Sequence, residues 1–292
     1  MTFREILHYG ERVLLEAGIE DARADAWYLM ENVFGISRSE YLLSMQEQAD
    51  PAALCTYEEL VQRRKSRIPL QHILGKAWFG GLCFRVTEDV LIPRPETEIL
   101  VEEALDFLDR CRKAQETEMT RQVLDLCTGS GCIAICLSLR QNYAAVSASD
   151  ISEKALCVAK ENAAASGADV HFIQSDLFTN LPGRYCMIVS NPPYIPRKDI
   201  EDLAPEVRLH DPRTALDGGE DGLDFYRRII LEAPQHLVDG GGLLLEIGSD
   251  QAEAVSGMLE RRGFSGIRVC RDLAGHDRVV QARLERKYQE RN

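Results

Sequence analysis

The sequence lacks the features that mark a membrane span, a zinc site or a secreted protein. No stretch approaches the roughly 20 continuous apolar residues that a membrane-spanning helix needs, and the apolar run at residues 243–245 ends at Glu246. The nine cysteines form no Cys-x-x-Cys pair, and their odd number argues against a disulfide framework. Charged residues interrupt the apolar residues after Met1, which is not the pattern of a signal peptide. We therefore expect a cytoplasmic protein with no metal and no membrane partner.

Positive charge is also scarce. The chain of 292 residues has 34 Lys and Arg against 47 Asp and Glu, a formal net charge of -13, and the first 75 residues hold 8 basic against 12 acidic side chains. The dense basic run is Arg63-Arg64-Lys65 with Arg67, which on a helix is typical of a solvated face. Because holding a nucleic-acid backbone requires a set of cationic side chains, we expect no direct nucleic-acid partner.

Two patterns divide the chain. Residues 1–75 carry apolar side chains at helical spacing between glycines, which predicts a small helical bundle. This bundle is either a stabilising cap or a docking domain for a large substrate, and the sequence leaves both readings open. Residues 76–95 combine aromatic and β-branched residues with a Gly pair, which predicts a β-hairpin linker before a second domain at 96–292. A polar stretch at 113–121 is interpreted as a linker inside that domain.

From residue 122 onward, apolar strand patterns alternate with helical patterns. The helix predicted at 152–165 has Ser152 as a candidate N-cap and Gly167 as a candidate stop signal. Such alternation predicts an α/β fold, a mostly parallel sheet with helices on both faces. Ligands on such sheets lie beyond the carboxyl ends of the strands. The expected strands are 123–126, 144–148, 170–173, 186–189, 243–247, 267–270 and 279–284.

The first of these strands ends in a glycine-rich turn. Glycines let the backbone pass close to a ligand, and the following helix directs its N-terminal amides to the same place. By itself the turn is a weak signal, because many folds use one. The residues expected to contact a cofactor here are Cys127, Thr128, Gly129, Ser130 and Gly131.

Acidic residues end the next two predicted strands. Asp150 lies 21 positions after Gly129, where a carboxylate accepts hydrogen bonds from ribose hydroxyls; its alternative role is an N-cap. A nicotinamide cofactor would fit these features, but the complete G-x-G-x-x-G pattern is missing. Asp176 is a candidate acceptor for an adenine amino group, or else a simple loop Asp. Leu177 is expected to pack on the adenine ring.

The fourth predicted strand ends in Asn191-Pro192-Pro193-Tyr194. The Asn191 side-chain oxygen and the Pro192 carbonyl would accept the two N–H bonds of a planar NH2 group, and the prolines would hold both acceptors in place. Tyr194 offers a flat face for stacking. Held in this way, the nitrogen presents its out-of-plane electron density to an incoming methyl group. The alternative interpretation of Pro192 and Pro193 is a rigid loop without a chemical role.

At these residues the chain resembles amino-methyltransferases that use S-adenosylmethionine, and more closely the release-factor glutamine methyltransferases of the HemK/PrmC family. The resemblance covers nearly the whole length. Its motifs are Ile73-Leu74-Gly75, the segment Leu91-Ile92-Pro93-Arg94-Pro95-Glu96-Thr97-Glu98, the glycine-rich turn, Val189-Ser190 with Asn191 through Tyr194, and Arg271-Asp272. The Asn-Pro-Pro-Tyr motif occurs in several methyltransferase classes, whereas its combination with the Ile-Pro-Arg-Pro-Glu-Thr-Glu segment is far more specific.

The resemblance implies a helical N-terminal domain joined by a hairpin to a Rossmann-like class I methyltransferase sheet, which closes with an antiparallel hairpin. It implies methyl transfer to the side-chain amide N5 of the glutamine in the Gly-Gly-Gln motif of class I peptide chain release factors. By position, residues 127–131, Asp150, Leu177 and Asn191 would contact the cofactor, and Asn191 through Tyr194 would hold the glutamine. Cys127 departs from the family pattern, which often has Gly there.

Three other functions stay open from the residues alone. A ribosomal-protein glutamine methyltransferase would use the same chemistry. A DNA adenine methyltransferase would also act on a planar NH2, although the acidic balance of both parts of the chain argues against it. A protein that binds the cofactor only to dock a partner would not need the Asn-Pro-Pro-Tyr segment.

Overall fold

The structure is a computed structural model that describes residues 1–113, 121–142 and 144–285. Most of the linker expected at 113–121 lies outside the described residues. The chain divides into two compact units. The helical unit comprises Met1–Lys76 with Ala204–His210, and the sheet unit comprises Ala77–Leu203 with the chain from Asp211 onward. No helix in the described ranges is both long enough and apolar enough to cross a membrane.

Five helices form the N-terminal part of the helical unit. Capping boxes begin two of them, with Thr2 and Glu5 at one start and Ser37 and Glu40 at the other, and these satisfy backbone N–H groups that a helix leaves unpaired. Their apolar faces meet in one core around Tyr57, whose hydroxyl donates to the Ala26 carbonyl. The helices are α1 (Phe3–Glu16), α2 (Ala22–Phe34), α3 (Arg38–Ser44), α4 (Pro51–Lys65) and α5 (Leu70–Leu74).

A short helix from later in the chain, Pro205–His210, completes the helical unit. Its Glu206 accepts from Arg64 Nη1 at 3.0 Å, and Arg64 Nε donates to Asp25 at 2.7 Å. All three side chains are largely buried, so this ion-pair cluster requires every partner: removing one would leave a buried charge uncompensated.

A two-stranded hairpin follows the helical bundle, with β1 at Lys76–Phe79 and β2 at Leu82–Arg85. The remaining elements alternate as the sequence predicted. They are α6 (Thr97–Lys113), β3 (Gln122–Leu126), α7 (Cys132–Arg140), β4 (Ala145–Asp150), α8 (Glu153–Ser166), β5 (Val170–Gln174), β6 (Tyr185–Ser190), the short helix α9 (Pro205–His210), α10 (Asp224–His236), β7 (Leu237–Glu246), α11 (Ala252–Arg262), β8 (Phe264–Arg271) and β9 (Asp277–Leu284).

Strands β3 to β9 form one seven-stranded sheet in the order β5-β4-β3-β6-β7-β9-β8. The first five strands in that order are parallel, and β9 pairs antiparallel with both β7 and β8. Neighbouring residues of β6 enter different cores, Met187 and Val189 on one face and Ile188 on the other. The predicted fold class, a mostly parallel sheet with a C-terminal antiparallel pair, is confirmed.

The start of β7 was predicted wrongly. The sequence placed the strand at 243–247, after the glycines at 240–242, whereas the strand begins at Leu237 and includes the glycines. Its pairing with β6 shifts register between Tyr185 and Met187. A Cβ at Gly242 would lie 2.5 Å from the Phe107 ring, so glycine is needed there for packing and not for a turn.

Candidate active site

One cavity of about 400 Å³ lies beyond the carboxyl ends of β3, β4, β5 and β6 in the sheet unit. It brings together most of the residues that the sequence singled out. Those that line it are Cys127, Thr128, Gly129, Ser130, Asp150, Asp176, Leu177, Asn191 and Pro193. Because they come from four separate strand ends, the parallel topology itself assembles the site.

Gly131 is absent from the cavity lining among the described residues, but it positions residues that do line the cavity. It begins helix α7 with φ 83°, a conformation that favours glycine. A Cβ there would lie 3.0 Å from Ala159 Cβ and 3.1 Å from Ile135 Cδ1. Gly131 therefore allows the turn, α7 and α8 to pack closely, which sets the position of the residues before it.

Asp125, the first residue of the Asp-x-x-x-Gly-x-Gly turn, anchors that turn, and the sequence did not predict it as a site residue. Its Oδ2 accepts from Thr128 Oγ1 at 2.6 Å and from the Ala134 backbone N–H at 3.2 Å. Burial is complete and raises the pKa of Asp125 to about 7. The signal available in the sequence was an acidic residue inside an apolar strand, which is rare unless the carboxylate has a partner.

Asp150 lies on the cavity wall and joins two loops. Its Oδ2 accepts from the Gly129 N–H at 2.9 Å, and its Oδ1 accepts from the Ser152 N–H at 2.9 Å. Burial raises its pKa, and these backbone donors partly offset the effect. The N-cap of α8 is Ser152, as predicted, with its hydroxyl accepting from the Ala155 N–H. Each Asp150 oxygen keeps a further lone pair that a ribose hydroxyl can use.

Asp176 and Leu177 lie on the cavity wall at the end of β5. Leu177 is buried and has φ 46°, in the left-handed region. Asp176 is exposed, and its Oδ1 accepts from Arg228 Nη2 at 2.7 Å. One Asp176 oxygen therefore remains available for an adenine amino group. Arg228 also lines the cavity, and no pattern in the sequence indicated it.

Cys127 also lies in the left-handed region, with φ 59°. Side chains other than glycine adopt this conformation at a cost of about 1–2 kcal/mol. Burial raises the pKa of the Cys127 thiol, so the group is neutral in the cavity wall. Cys127 packs against the core formed by β3, β6 and α10, which explains how the conformation is held.

The Asn-Pro-Pro-Tyr segment follows β6, and its members are placed differently. Asn191 and Pro193 line the cavity, whereas Pro192 and Tyr194 are absent from its lining among the described residues. Pro192 is buried, and Tyr194 packs against the core with burial raising its pKa to about 12. The Tyr194 backbone oxygen accepts from Gln251 Nε2 at 2.9 Å, which fixes this segment to the start of α11.

Two polar side chains next to Asn191, Thr97 and Glu246, were not predicted as site residues, and Thr97 lines the cavity. Asn191 Nδ2 donates to Thr97 Oγ1 at 3.2 Å. Glu246, at the end of β7, lies beside both side chains, and burial raises its pKa to about 7. In the sequence, Thr97 was part of the Ile-Pro-Arg-Pro-Glu-Thr-Glu motif without a role of its own, and Glu246 was only the end of an apolar run. Their proximity to Asn191 depends on strand order.

The far wall of the cavity comes from a segment for which the sequence predicted nothing. Arg94 Nη2 donates to Asp211 Oδ2 at 2.6 Å, and the Asp211 side chain is fully buried. Arg197 Nε donates to Asp217 Oδ2 at 3.0 Å. These pairs hold residues 211–217 beside Asn191 in the wall of the cavity. In the sequence, the feature that could have indicated a role for Arg94 was its position between two prolines in an unusual motif.

Two family models match the chain. One is the PrmC N-terminal domain, which matches residues 5–75, and the other is the methyltransferase small domain, which matches residues 107–220. Among solved structures, a methyltransferase from Pyrococcus furiosus is similar in fold, with a TM-score of 0.51 and 18% identity, covering 77% of this chain and 99% of that one.

Curated relatives extend the similarity over nearly the full length. The release factor glutamine methyltransferase of Geobacter sulfurreducens is 44% identical over 284 residues, which cover 97% of each chain. That of Deinococcus radiodurans is 41% identical over 285 residues, which cover 97% of this chain and 99% of the relative. With this identity and coverage, the chain belongs to the family of release factor glutamine methyltransferases.

Proposed function

We propose that the protein transfers a methyl group from S-adenosylmethionine to the side-chain amide N5 of the glutamine in the Gly-Gly-Gln motif of class I peptide chain release factors. The observation that carries the proposal is the position of Asn191 in the wall of the cavity that also contains the glycine-rich turn and Asp150. Donor and acceptor sites would thus share one cavity. S-adenosylhomocysteine would be the product, and no metal is needed for this chemistry.

The donor side of the cavity suits an adenosine group with an amino-acid tail. Asp150 would accept from the ribose hydroxyls, Asp176 from the adenine amino group, and Leu177 would pack on the ring. The residues from Cys127 to Gly131 would lie along the methionine part, where backbone N–H groups at the start of α7 favour a carboxylate. The side chains and cavity volume fit such a molecule.

The acceptor side suits a primary amide. Asn191 Oδ1 and the Pro192 carbonyl would accept the two N–H bonds of the glutamine amide, and Tyr194 would support the segment from the core side. A sulfonium methyl group is a strong electrophile, so the cofactor supplies the chemistry when bound. The amide nitrogen is a poor nucleophile, and positioning of the two reacting groups by the site as a whole would contribute on the order of 7–11 kcal/mol.

Both hydrogen bonds become stronger as positive charge develops on the nitrogen, which stabilises the transition state more than the ground state. No general base has to act before the attack, because the amide proton becomes acidic only afterwards. The chain would therefore need to align the nitrogen, exclude water and hold the two acceptor oxygens still.

The helical unit would be the docking domain for the release factor, at residues 1–75, with 76–95 as a linker and 96–292 as the catalytic domain. The family model for residues 5–75 supports a shared role of this part in the family. Because the proposed substrate acts in translation, it also supports a cytoplasmic location.

The test is methylation of a recombinant release factor, followed by peptide mass spectrometry. Wild-type protein with the cofactor should add one methyl group to the Gly-Gly-Gln glutamine. Asn191→Ala should reduce the rate at least about a hundredfold, as loss of one preorganised polar group in other active sites does. Asn142→Ala, an exposed asparagine in the loop before β4, is the matched control and should leave the rate unchanged.

Duplex DNA and ribosomal proteins belong in parallel reactions. Methyl transfer to either of them, with the release factor unmodified, would contradict the proposed substrate. Normal turnover by Asn191→Ala would remove this residue from the acceptor site. If the chain bound the cofactor but formed no product, this would favour the alternative function, in which it binds the cofactor only to dock a partner.

A further inference from the structure

Glu246 is a buried carboxyl group that the cavity itself does not explain. It ends strand β7, is 2% exposed and is absent from the cavity lining among the described residues. Its Oε2 has no hydrogen-bond partner in the described part of the chain. A buried acid with an unpaired oxygen costs free energy of folding. Because an apolar residue at this position would avoid that cost, its presence requires a reason.

The reason is found in the two side chains beside it. Thr97, at the start of α6, is 2% exposed, and both Thr97 and Asn191 act on the Glu246 carboxyl as hydrogen-bonding neighbours. Asn191 Nδ2 donates to Thr97 Oγ1, while its Oδ1 has no hydrogen bond to any described residue. An asparagine amide has donors on one side and an acceptor on the other, and rotation by half a turn exchanges them.

Only one of these two orientations can receive a substrate NH2 group. With Oδ1 toward the cavity, Asn191 accepts a hydrogen bond; with Nδ2 toward the cavity, it repels the same group. Thr97 and the Glu246 carboxylate both face the Nδ2 side, where they favour a donor. A carboxylate offers only acceptors, so a charged Glu246 selects the productive orientation.

We propose that Glu246 is a positioning residue that, together with Thr97, holds the Asn191 amide with its oxygen directed toward the substrate nitrogen. The role rests on the proposed function of Asn191 as the acceptor of the glutamine amide. Glu246 acts through Asn191 and does not touch the substrate.

Protonation would weaken this selection, because a neutral Glu246 carries an O–H donor that competes for Asn191 Oδ1. Burial raises the Glu246 pKa to about 7, with Glu96 acting in the same direction and Arg278 in the opposite one. The carboxylate form therefore dominates above pH 7, and the rate should fall as the pH decreases through that value. The other titratable groups that face it from neighbouring elements are Tyr194, Tyr226 and Cys132.

The first test needs no substrate. In protein labelled with 15N-asparagine, the side-chain amide signal of Asn191, identified by its loss in Asn191→Ala, should shift as the pH passes through about 7. In Glu246→Gln this shift should vanish. A wild-type signal that does not titrate, or one that titrates equally in Glu246→Gln, would overturn the proposal, whatever the enzyme methylates.

The second test uses turnover at saturating cofactor and release factor. Glu246→Gln replaces the carboxylate with an amide that can donate to Asn191 Oδ1, and kcat should fall about ten- to a hundredfold, as a misplaced reacting group does. The fall of the wild-type kcat toward acid pH should disappear. Cofactor affinity should stay within twofold of wild type, since Glu246 does not line the cavity.

Controls separate a positioning role from a structural one. Thr97→Val removes the hydroxyl and should lower kcat while keeping the pH dependence. Glu246→Asp retains the charge and should also keep that dependence, even if the shorter side chain lowers kcat. Thermal melting checks that each variant is folded.

The outcomes distinguish the two proposals. An active wild-type enzyme whose kcat and pH profile are unchanged by Glu246→Gln overturns the positioning role and leaves the proposed function standing. If the wild-type protein has no methyltransferase activity but its Asn191 amide signal still shifts with the ionisation of Glu246, the proposed function is overturned and the action of Glu246 on Asn191 stands.

Discussion

Each side of the cavity has one buried carboxyl group behind it, and the two groups are held differently. Asp125, behind the glycine-rich turn, accepts two hydrogen bonds through Oδ2, one of them from the backbone of α7. Glu246, behind Asn191, has the side chains of Thr97 and Asn191 as its hydrogen-bonding neighbours, and its Oε2, like Asp125 Oδ1, has no partner in the described ranges. The donor side is therefore fixed through the backbone, whereas the acceptor side depends on side chains whose orientation can change.

This difference suits the two tasks. A cofactor of constant shape can be bound by a rigid turn, and backbone groups have no alternative rotamers. A substrate amide must be recognised by the direction of its two N–H bonds, and one of the two proposed acceptors, Asn191 Oδ1, is correctly placed in only one orientation of its side chain. Variants on the donor side should therefore change affinity, and variants on the acceptor side should change turnover.

Asp150→Ala should produce the largest effect on the donor side. It removes the acceptor of the Gly129 and Ser152 N–H groups together with the proposed ribose contact. Hydrogen bonds to charged groups contribute about 1.5–3 kcal/mol each, so the Kd for S-adenosylmethionine should increase about a hundredfold in calorimetry. At saturating cofactor, kcat should remain within a few fold of wild type.

Two further variants make this comparison sharper. Asp150→Asn keeps one acceptor oxygen and should lose less affinity than Asp150→Ala. Glu246→Gln, on the acceptor side, should leave the Kd unchanged. If Asp150→Ala lowers kcat and leaves the Kd as in wild type, the division of the cavity into an affinity side and a turnover side is wrong.

The second prediction concerns stability against pH. Burial raises the pKa of both Asp125 and Glu246 to about 7 from ordinary values of 3.8 and 4.5. The folded protein thus binds more protons than the unfolded chain between about pH 4 and 7, so stability falls as the pH rises through this window. Each group should account for on the order of 4 kcal/mol, since one pKa unit corresponds to about 1.4 kcal/mol.

Urea unfolding at several pH values measures this dependence. Asp125→Asn and Glu246→Gln should each flatten the curve in that window and should both be more stable than wild type at alkaline pH. Asp239→Asn, an exposed aspartate, is the control and should follow the wild-type curve. If the free energy of unfolding depended on pH in the same way for all four proteins, the two carboxyl groups would ionise as freely in the folded protein as in the unfolded chain.

The sequence predicted those parts of the fold that depend on local patterns. The apolar strands and the N-cap Ser152 with its stop at Gly167 were correct, because caps and periodicity act within a few residues. The convergence of the residues around Gly129, Asp150 and Asn191 on one cavity followed from the rule that parallel strands end at the same edge.

What could not be predicted depends on packing between distant segments. The sequence did not place Gly242 in the strand, because its contact with Phe107 joins residues more than a hundred positions apart. Glu246 appeared to be the polar end of an apolar run, although it is buried beside Thr97 and Asn191. A single sequence contains no information on such pairs until the order of the strands is known.

Cys127 gives the smallest expected effect and the finest test of the donor side. Its φ of 59° costs free energy that glycine would avoid, but glycine also increases the entropy of the unfolded chain by a similar amount, about 0.5–1 kcal/mol. Cys127→Gly should therefore change stability by less than about 1 kcal/mol and the Kd for the cofactor by less than about threefold. Cys127→Val places a β-branched side chain in the left-handed region and should lower both stability and affinity clearly. If Val is tolerated as well as Gly, the backbone of the turn can rearrange, and the rigidity attributed to the donor side would have to be abandoned.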